Sequence, residues 1–220
     1  MATFPANCDF PARVVAIDVG ATKITGSIVR YDSAEAEPVV EDSRTVATEA
    51  MKGGANVLGK ICSLASDLAA CAPASPLGIG VGTAGRVDAK SGDIAYANDL
   101  MPGWGGQPLA SALRERSGLP AAILNDVQAY AVGEARWGAG RGADTCIMIA
   151  AGTGVGGAVI AHGRIVRGKH GFAGEVGHMA SSIATGIPCV CGGSGHLESV
   201  AAGSGIEARF FEATEEHLSG

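Results

Sequence analysis

The 220-residue chain lacks several features, and each absence narrows its class. No uninterrupted apolar run is long enough to cross a bilayer. The one uncharged stretch of that kind, Thr145 to Ala161, is interrupted by Gly152, Gly154, Gly156 and Gly157 and falls slightly short of a spanning length. The opening "MATFPANCDFPARVV" has no continuous apolar segment and contains two prolines, so no secretory signal is expected there. Basic residues are few and scattered, 16 Lys and Arg against 22 Asp and Glu for a net charge of −6, and the footprint of a nucleic-acid binder is missing. The six cysteines form no disulfide framework, since Cys8, Cys62, Cys71 and Cys146 stand apart. These absences predict a reduced, cytoplasmic protein that handles small molecules, without membrane or nucleic-acid partners.

Glycine is what the chain has in excess: 34 residues, about twice the usual share, with no collagen period. Many of them punctuate a repeated pattern. In "AIDVGATKITGSIV", Ala16 to Val29, one apolar run ends at Asp18, Gly20 supplies a turn suited to positive φ, and Thr22 and Lys23 open the next run. The same order of strand, glycine turn and strand returns at Cys146 to Ala150, "AGTGVGG" and Ala158 to Ala161. Between the two lie a strand at Val39 to Thr48, an amphipathic helix over Gly54 to Cys71, a strand at Leu77 to Gly82 and a helix opened by Pro108. A buried strand then ends in Asn125 and Asp126, a helix runs to Trp137, and a last helix is expected from about Leu197. The repeat predicts a duplicated α/β architecture of two lobes, residues 1–120 and 121–220, with the boundary near Gly118 to Ala122.

Each motif has a competing plain reading. The Asp18–Gly20 turn is either an ordinary β-turn or a phosphate loop whose acid holds a metal. "GTGVGG", Gly152 to Gly157, fits the dinucleotide pattern, but β-like sequence follows where a helix must open, so a nicotinamide enzyme is excluded. "GRIVRGKH" misses a Walker loop because His170 stands where a hydroxyl must meet magnesium. Asp126, where a strand meets a helix, is either a working carboxylate or a helix cap, and spacing leaves both open. His178, Cys189, Cys191 and His196 form an H-x10-C-x-C-x4-H set suited to tetrahedral zinc. The alternative there is two buried thiols and two unrelated histidines.

The ordered set "AIDVGATKI", "GVGTAGRVD", "ANDLMPGWGGQPL", "ILNDVQAYAVGEARWGAG", "AAGTGVGG", "GFAGEVGHM" and "CVCGGSGHLE" resembles the ROK family (repressor, open reading frame, kinase) of bacterial sugar kinases and repressors, over about Val14 to Gly205. The resemblance implies an α/β, actin-like ATPase (ribonuclease H-like) fold with duplicated hairpin phosphate loops. It implies ATP-dependent phosphorylation of a hexose. Asp18, Gly20, Thr22 and Lys23 match the first phosphate and magnesium loop, and Gly152, Thr153 and Gly154 the second. Asp126 matches the catalytic base, and Asn98, Asp126, Glu175, His178 and Glu198 match sugar-binding positions. His178, Cys189, Cys191 and His196 match the zinc loop, His178 also facing the sugar. ATP, Mg2+ and Zn2+ are thus the implied cofactors, and a homodimer is the implied assembly of a full-length member.

Two departures from the family pattern bear on function. His196 stands where the zinc loop normally ends in cysteine. Members usually continue past Gly220 through helices that complete the second lobe and a segment that holds the adenosine. The expectation is an incomplete second lobe, weak ATP binding and apolar surface exposed on Val200 to Leu218. A sugar-responsive regulator is the alternative, although only about a dozen residues precede the first hairpin and leave no room for a helix-turn-helix. A catalytically inactive fragment that keeps the sugar and zinc pocket is the third reading. Glucose is the preferred sugar, with N-acetylmannosamine, N-acetylglucosamine, fructose and allose as alternatives.

Overall fold

The first apolar runs pair as their alternation predicts. Strand β1 (Ala12–Val19) buries Val15, Ile17 and Val19 and runs antiparallel to β2 (Lys23–Tyr31), which runs antiparallel to β3 (Val39–Ala47). Helix α1 (Gly54–Cys71) then crosses the sheet and buries Val57, Ile61, Leu64, Ala65 and Leu68, one face at helical spacing. Each fully buried Leu or Ile contributes roughly 1.5–3 kcal/mol, so this one face anchors the helix. The crossover returns the chain as β4 (Ile79–Thr83), parallel to β1.

After β4, a short antiparallel pair, β5 (Arg86–Val87) and β6 (Ile94–Tyr96), forms between the strand and the helix that the sequence pattern predicts. The carboxylate of Asp88 sets the turn by accepting the N–H groups of Lys90 and Ser91. Helix α2 (Leu109–Ser117) leads to β7 (Ala121–Asn125), parallel to β4, and completes a five-stranded sheet in the order β3-β2-β1-β4-β7. Trp104, Leu109 and Leu113 close the core on the same side as α1.

Helix α3 (Asp126–Trp137) follows directly. Strands β8 (Thr145–Ala151), β9 (Val155–Ala161) and β10 (Arg164–Val166) then make an antiparallel sheet in the order β10-β9-β8. The uncharged stretch Thr145 to Ala161 is therefore a hairpin. No described helix is long and apolar enough to cross a membrane. Beyond two single-turn 3-10 helices, Val176–His178 and Ser182–Ala184, come α4 (Glu198–Ala201) and α5 (Gly203–Thr214). The single last helix expected from about Leu197 is thus two. Ala202 is extended between them, and the Gly203 N–H donates to the Gly152 carbonyl at 2.8 Å, a tertiary bond that takes the place of helical continuation.

This computed structural model describes residues 4–5 and 7–217; Leu218, the end of the expected apolar segment, lies outside them. Two compact units divide the chain within α3, between Ala129 and Tyr130. The division falls beyond Gly118 to Ala122 because β7 pairs with β4 and so belongs to the first sheet. All six cysteines are free thiols.

Candidate functional site

In the first unit the site residues gather at one edge of the sheet. Strands β1, β4 and β7 run parallel, and their register aligns Val19 with Thr83 and Thr83 with Asn125. Asp18 and Asp126 therefore lie at the carboxyl ends of strands two apart, roughly 10 Å between backbones at normal strand spacing. That edge is where open α/β sheets place their working groups.

The first glycine turn closes through the Gly20 N–H, which donates to the Lys23 carbonyl at 3.0 Å. Gly20 does not adopt the positive φ that its place in the turn suggests; the three residues Gly20 to Thr22 link the strands without it. The turn is held from outside by Thr48. Its buried hydroxyl donates to the Gly20 carbonyl at 2.7 Å, and its N–H to the Thr22 carbonyl at 3.0 Å. Thr22 and Lys23 are exposed at the tip. Partial burial pushes the Asp18 carboxyl up, and the charge of Lys23 draws it back down.

Asn125 and Asp126 divide two duties that sequence leaves undivided. The Asn125 side-chain oxygen accepts the N–H groups of Val127 and Gln128 at 3.0 and 3.4 Å, and its amide donates to the Gly85 carbonyl, so Asn125 caps α3. Asp126, in the first turn, accepts the adjacent Val127 N–H at 2.8 Å. Burial pushes the Asp126 carboxyl above the ordinary range. The Val127 N–H opposes that rise and the negative charge of Asp18 adds to it.

Asn98 is exposed in the loop after β6, its side-chain oxygen accepting the Leu100 N–H at 3.2 Å. Trp104 anchors that loop. Its fully buried indole N–H donates to the Thr83 hydroxyl at 3.2 Å and the Ala84 carbonyl at 3.3 Å. Thr48, Thr83 and Trp104 are site-shaping residues that sequence reasoning misses, and no local signal marks them, since each acts on a segment more than twenty positions away.

Glu175, His178 and Glu198 belong to the second unit, as do Gly152, Thr153 and Gly154. The second glycine turn joins β8 to β9, with the Gly152 N–H donating to the Gly154 carbonyl at 2.9 Å. The "GEVGHM" segment lies directly on this hairpin. A Cβ on Gly177 would stand 2.0 Å from the Val155 carbonyl oxygen, so only glycine permits the approach, and Glu175 and His178 are carried to the hairpin with it. Glu198 opens α4, and its carboxylate accepts the Val155 N–H at 2.8 Å.

The spacing of the Cys/His set translates into a cluster. The donor atoms of His178, Cys189, Cys191 and His196 all lie within 4.8 Å of one another. The Cys189 Sγ stands 3.7 Å from His178 Nδ1, and the Cys191 Sγ 3.3 Å from His196 Nδ1. A tetrahedral zinc ion with bonds of ~2.0–2.3 Å holds its donors about 3.3–3.8 Å apart, so these two pairs stand at distances suited to that ion. The loop folds back on itself. Cys189 donates its N–H to the Gly193 carbonyl at 2.9 Å, and isolated bridges join Pro188 to Ser194 and Ala180 to His196.

Comparison with known proteins places the chain in a family. The ROK family matches residues 14–219. The chain is similar to a glucokinase from Halalkalibacterium halodurans, 41% identical over 141 residues, an overlap of 64% of this chain and 42% of that one. Its fold is similar to the ROK hexokinase of Thermus thermophilus, with a TM-score of 0.78 at 30% identity over 94% of this chain and 66% of that one. It is also similar to a ROK family glucokinase from Streptomyces griseus, solved in complex with glucose and AMPPNP, with a TM-score of 0.74 at 31% identity over 93% and 62% of the two chains. The chain thus spans less than two thirds of the length of each of these relatives. The shared architecture is the actin-like ATPase fold. With both glycine hairpins and the intervening motifs falling within the matched residues, the chain belongs to the ROK family.

Proposed function

We propose that this chain carries the acceptor-activating and phosphate-binding parts of an ATP-dependent hexose kinase. The observation that supports the reading most is Asp126: a half-buried carboxylate at the carboxyl end of β7, held above its ordinary pKa, two strands from Asp18. A base poised in this way takes the proton of a sugar hydroxyl as the oxygen attacks the γ-phosphorus and the bond to the leaving diphosphate breaks. Capping by Asn125 leaves Asp126 that role. The turns at Gly20–Lys23 and Gly152–Gly154 present backbone N–H groups to phosphate, where charge neutralisation and alignment do most of the catalytic work.

Asp18 is the residue proposed to hold magnesium, which when bound neutralises phosphate charge. Asn98, Glu175, His178 and Glu198 are proposed, with Asp126, to bind the sugar. Glucose is the first sugar to test, since similar proteins are named glucokinases and one was solved with glucose. His178, Cys189, Cys191 and His196 are proposed to hold one zinc ion, which fixes the loop that carries His178 and Glu198 and takes no part in bond making.

A panel of hexoses assayed with ATP and magnesium tests the reading. Phosphorylation of one sugar that Asp126→Asn lowers by roughly 10²- to 10⁴-fold is the expected result. Sugar phosphorylation undiminished in Asp126→Asn overturns it.

A further inference from the structure

The second glycine turn and the Cys/His cluster share one carboxylate. The Glu198 Oε2 accepts the buried Val155 N–H at 2.8 Å, while Oε1 faces the Cys189 Sγ at 3.9 Å. The fit is close: a Cβ on Gly154 would stand 2.6 Å from Oε2 and push the carboxylate aside. The segment that Glu198 opens also grips the other side of the turn. Ala202 donates its N–H to the Glu198 carbonyl at 3.0 Å, and the next residue, Gly203, donates to the Gly152 carbonyl at 2.8 Å. The turn is therefore clasped at Gly152 and at Val155 by residues 198–203. Without Glu198 the Val155 N–H, at a buried residue, would lose the charged acceptor that satisfies it.

We infer that Glu198 is a positioning residue for the second glycine turn, transmitting the state of the Cys/His cluster to the loop proposed to bind phosphate. This is separate from its match to a sugar-binding position, because a carboxylate has about four acceptor sites and the Val155 N–H uses one. The inference rests on the proposed metal reading for the cluster, and on the proposed phosphate reading for its consequence. When zinc holds His196, two positions before Glu198 and bonded through its carbonyl to the Ser199 N–H at 3.1 Å, the start of α4 is fixed, Glu198 is held against the loop, and the turn is shaped before any nucleotide arrives. When the cluster opens, the carboxylate is released and the turn loosens.

Amide hydrogen exchange resolved at residues 152–156 tests this, with zinc content measured by elemental analysis and the amides of β1 as an internal reference. Glu198→Ala that retains zinc is expected to exchange its Val155 amide about tenfold faster than wild type, the worth of one charge-assisted hydrogen bond. Glu198→Gln, whose amide oxygen still accepts, is expected to fall between the two. Chelation of wild type is expected to speed the same amide with β1 unchanged. Unchanged exchange in zinc-loaded Glu198→Ala overturns the positioning role, and unchanged exchange on chelation overturns the link to the cluster. Wild type without zinc overturns the metal reading and its link together, and the comparison of wild type with Glu198→Ala then decides the positioning role by itself.

Discussion

Asp126, the base we propose, is a residue set against stability. Its carboxyl is pushed up first by burial, so between the ordinary carboxylate range and its raised native value the folded chain keeps a proton that the unfolded chain has released. Stability therefore falls as pH rises through that window, and the charged form at neutral pH weighs against folding. Asp126→Asn keeps an oxygen for the Val127 N–H and removes the charge. It is expected to lower sugar phosphorylation by roughly 10²- to 10⁴-fold while raising the midpoint of urea unfolding at neutral pH. A midpoint that drops instead would show that the carboxylate is there to hold the fold. The wild-type rate is expected to decline on the acid side at a pH above the ordinary aspartate range. Thr48 makes the opposite case, a buried hydroxyl whose role is support. Thr48→Val leaves the Gly20 carbonyl without its 2.7 Å donor and is expected to cost about 1–3 kcal/mol in the same unfolding measurement.

At the scale of elements, the Cys/His loop is the clearest test of sequence spacing against structure. Four donors within one short region come together because two isolated bridges fold the loop back on itself, and the zinc proposed there would contribute on the order of 10 kcal/mol to such a loop. Cys189→Ser is expected to reduce zinc from about one per chain to a trace, with faster proteolysis between Glu175 and Glu198. Stoichiometric zinc after loss of both Cys189 and Cys191 would remove the assignment. This cluster was legible from sequence because its ligands are close in the chain, as were the two glycine hairpins and α1, each written in short-range pattern. The turn supports were not legible. Thr48 meets Gly20 and Trp104 meets Thr83 only once the sheet has formed, and the break at Ala202 follows from a bond to Gly152 some fifty positions earlier. The β5–β6 pair escaped for another reason: strands of two and three residues are too short to show a period.

For the whole molecule, the apolar surface of the second unit carries the next consequence. Strand β8 ends its sheet among the described residues, and its outward side chains Ile147 and Ile149 are 61% and 60% exposed. Helix α5 adds Ile206 and Phe211, 52% and 42% exposed. An unpaired strand edge bearing β-branched apolar residues is a template for pairing with another chain, and neither a charge nor a proline interrupts Thr145–Ala151 to prevent it. The first unit differs: its edge strand β3 carries Glu41, Asp42 and Arg44, a charged edge that resists such pairing. Self-association should therefore run through β8. Sedimentation velocity of the 220-residue chain is expected to show mass rising with concentration, and Ile147→Lys combined with Ile149→Lys is expected to return it to monomer, since both positions are already exposed and leave the core unaltered. Association that persists in the double variant, and that falls instead when Ile206 and Phe211 are made polar, would transfer the contact to α5.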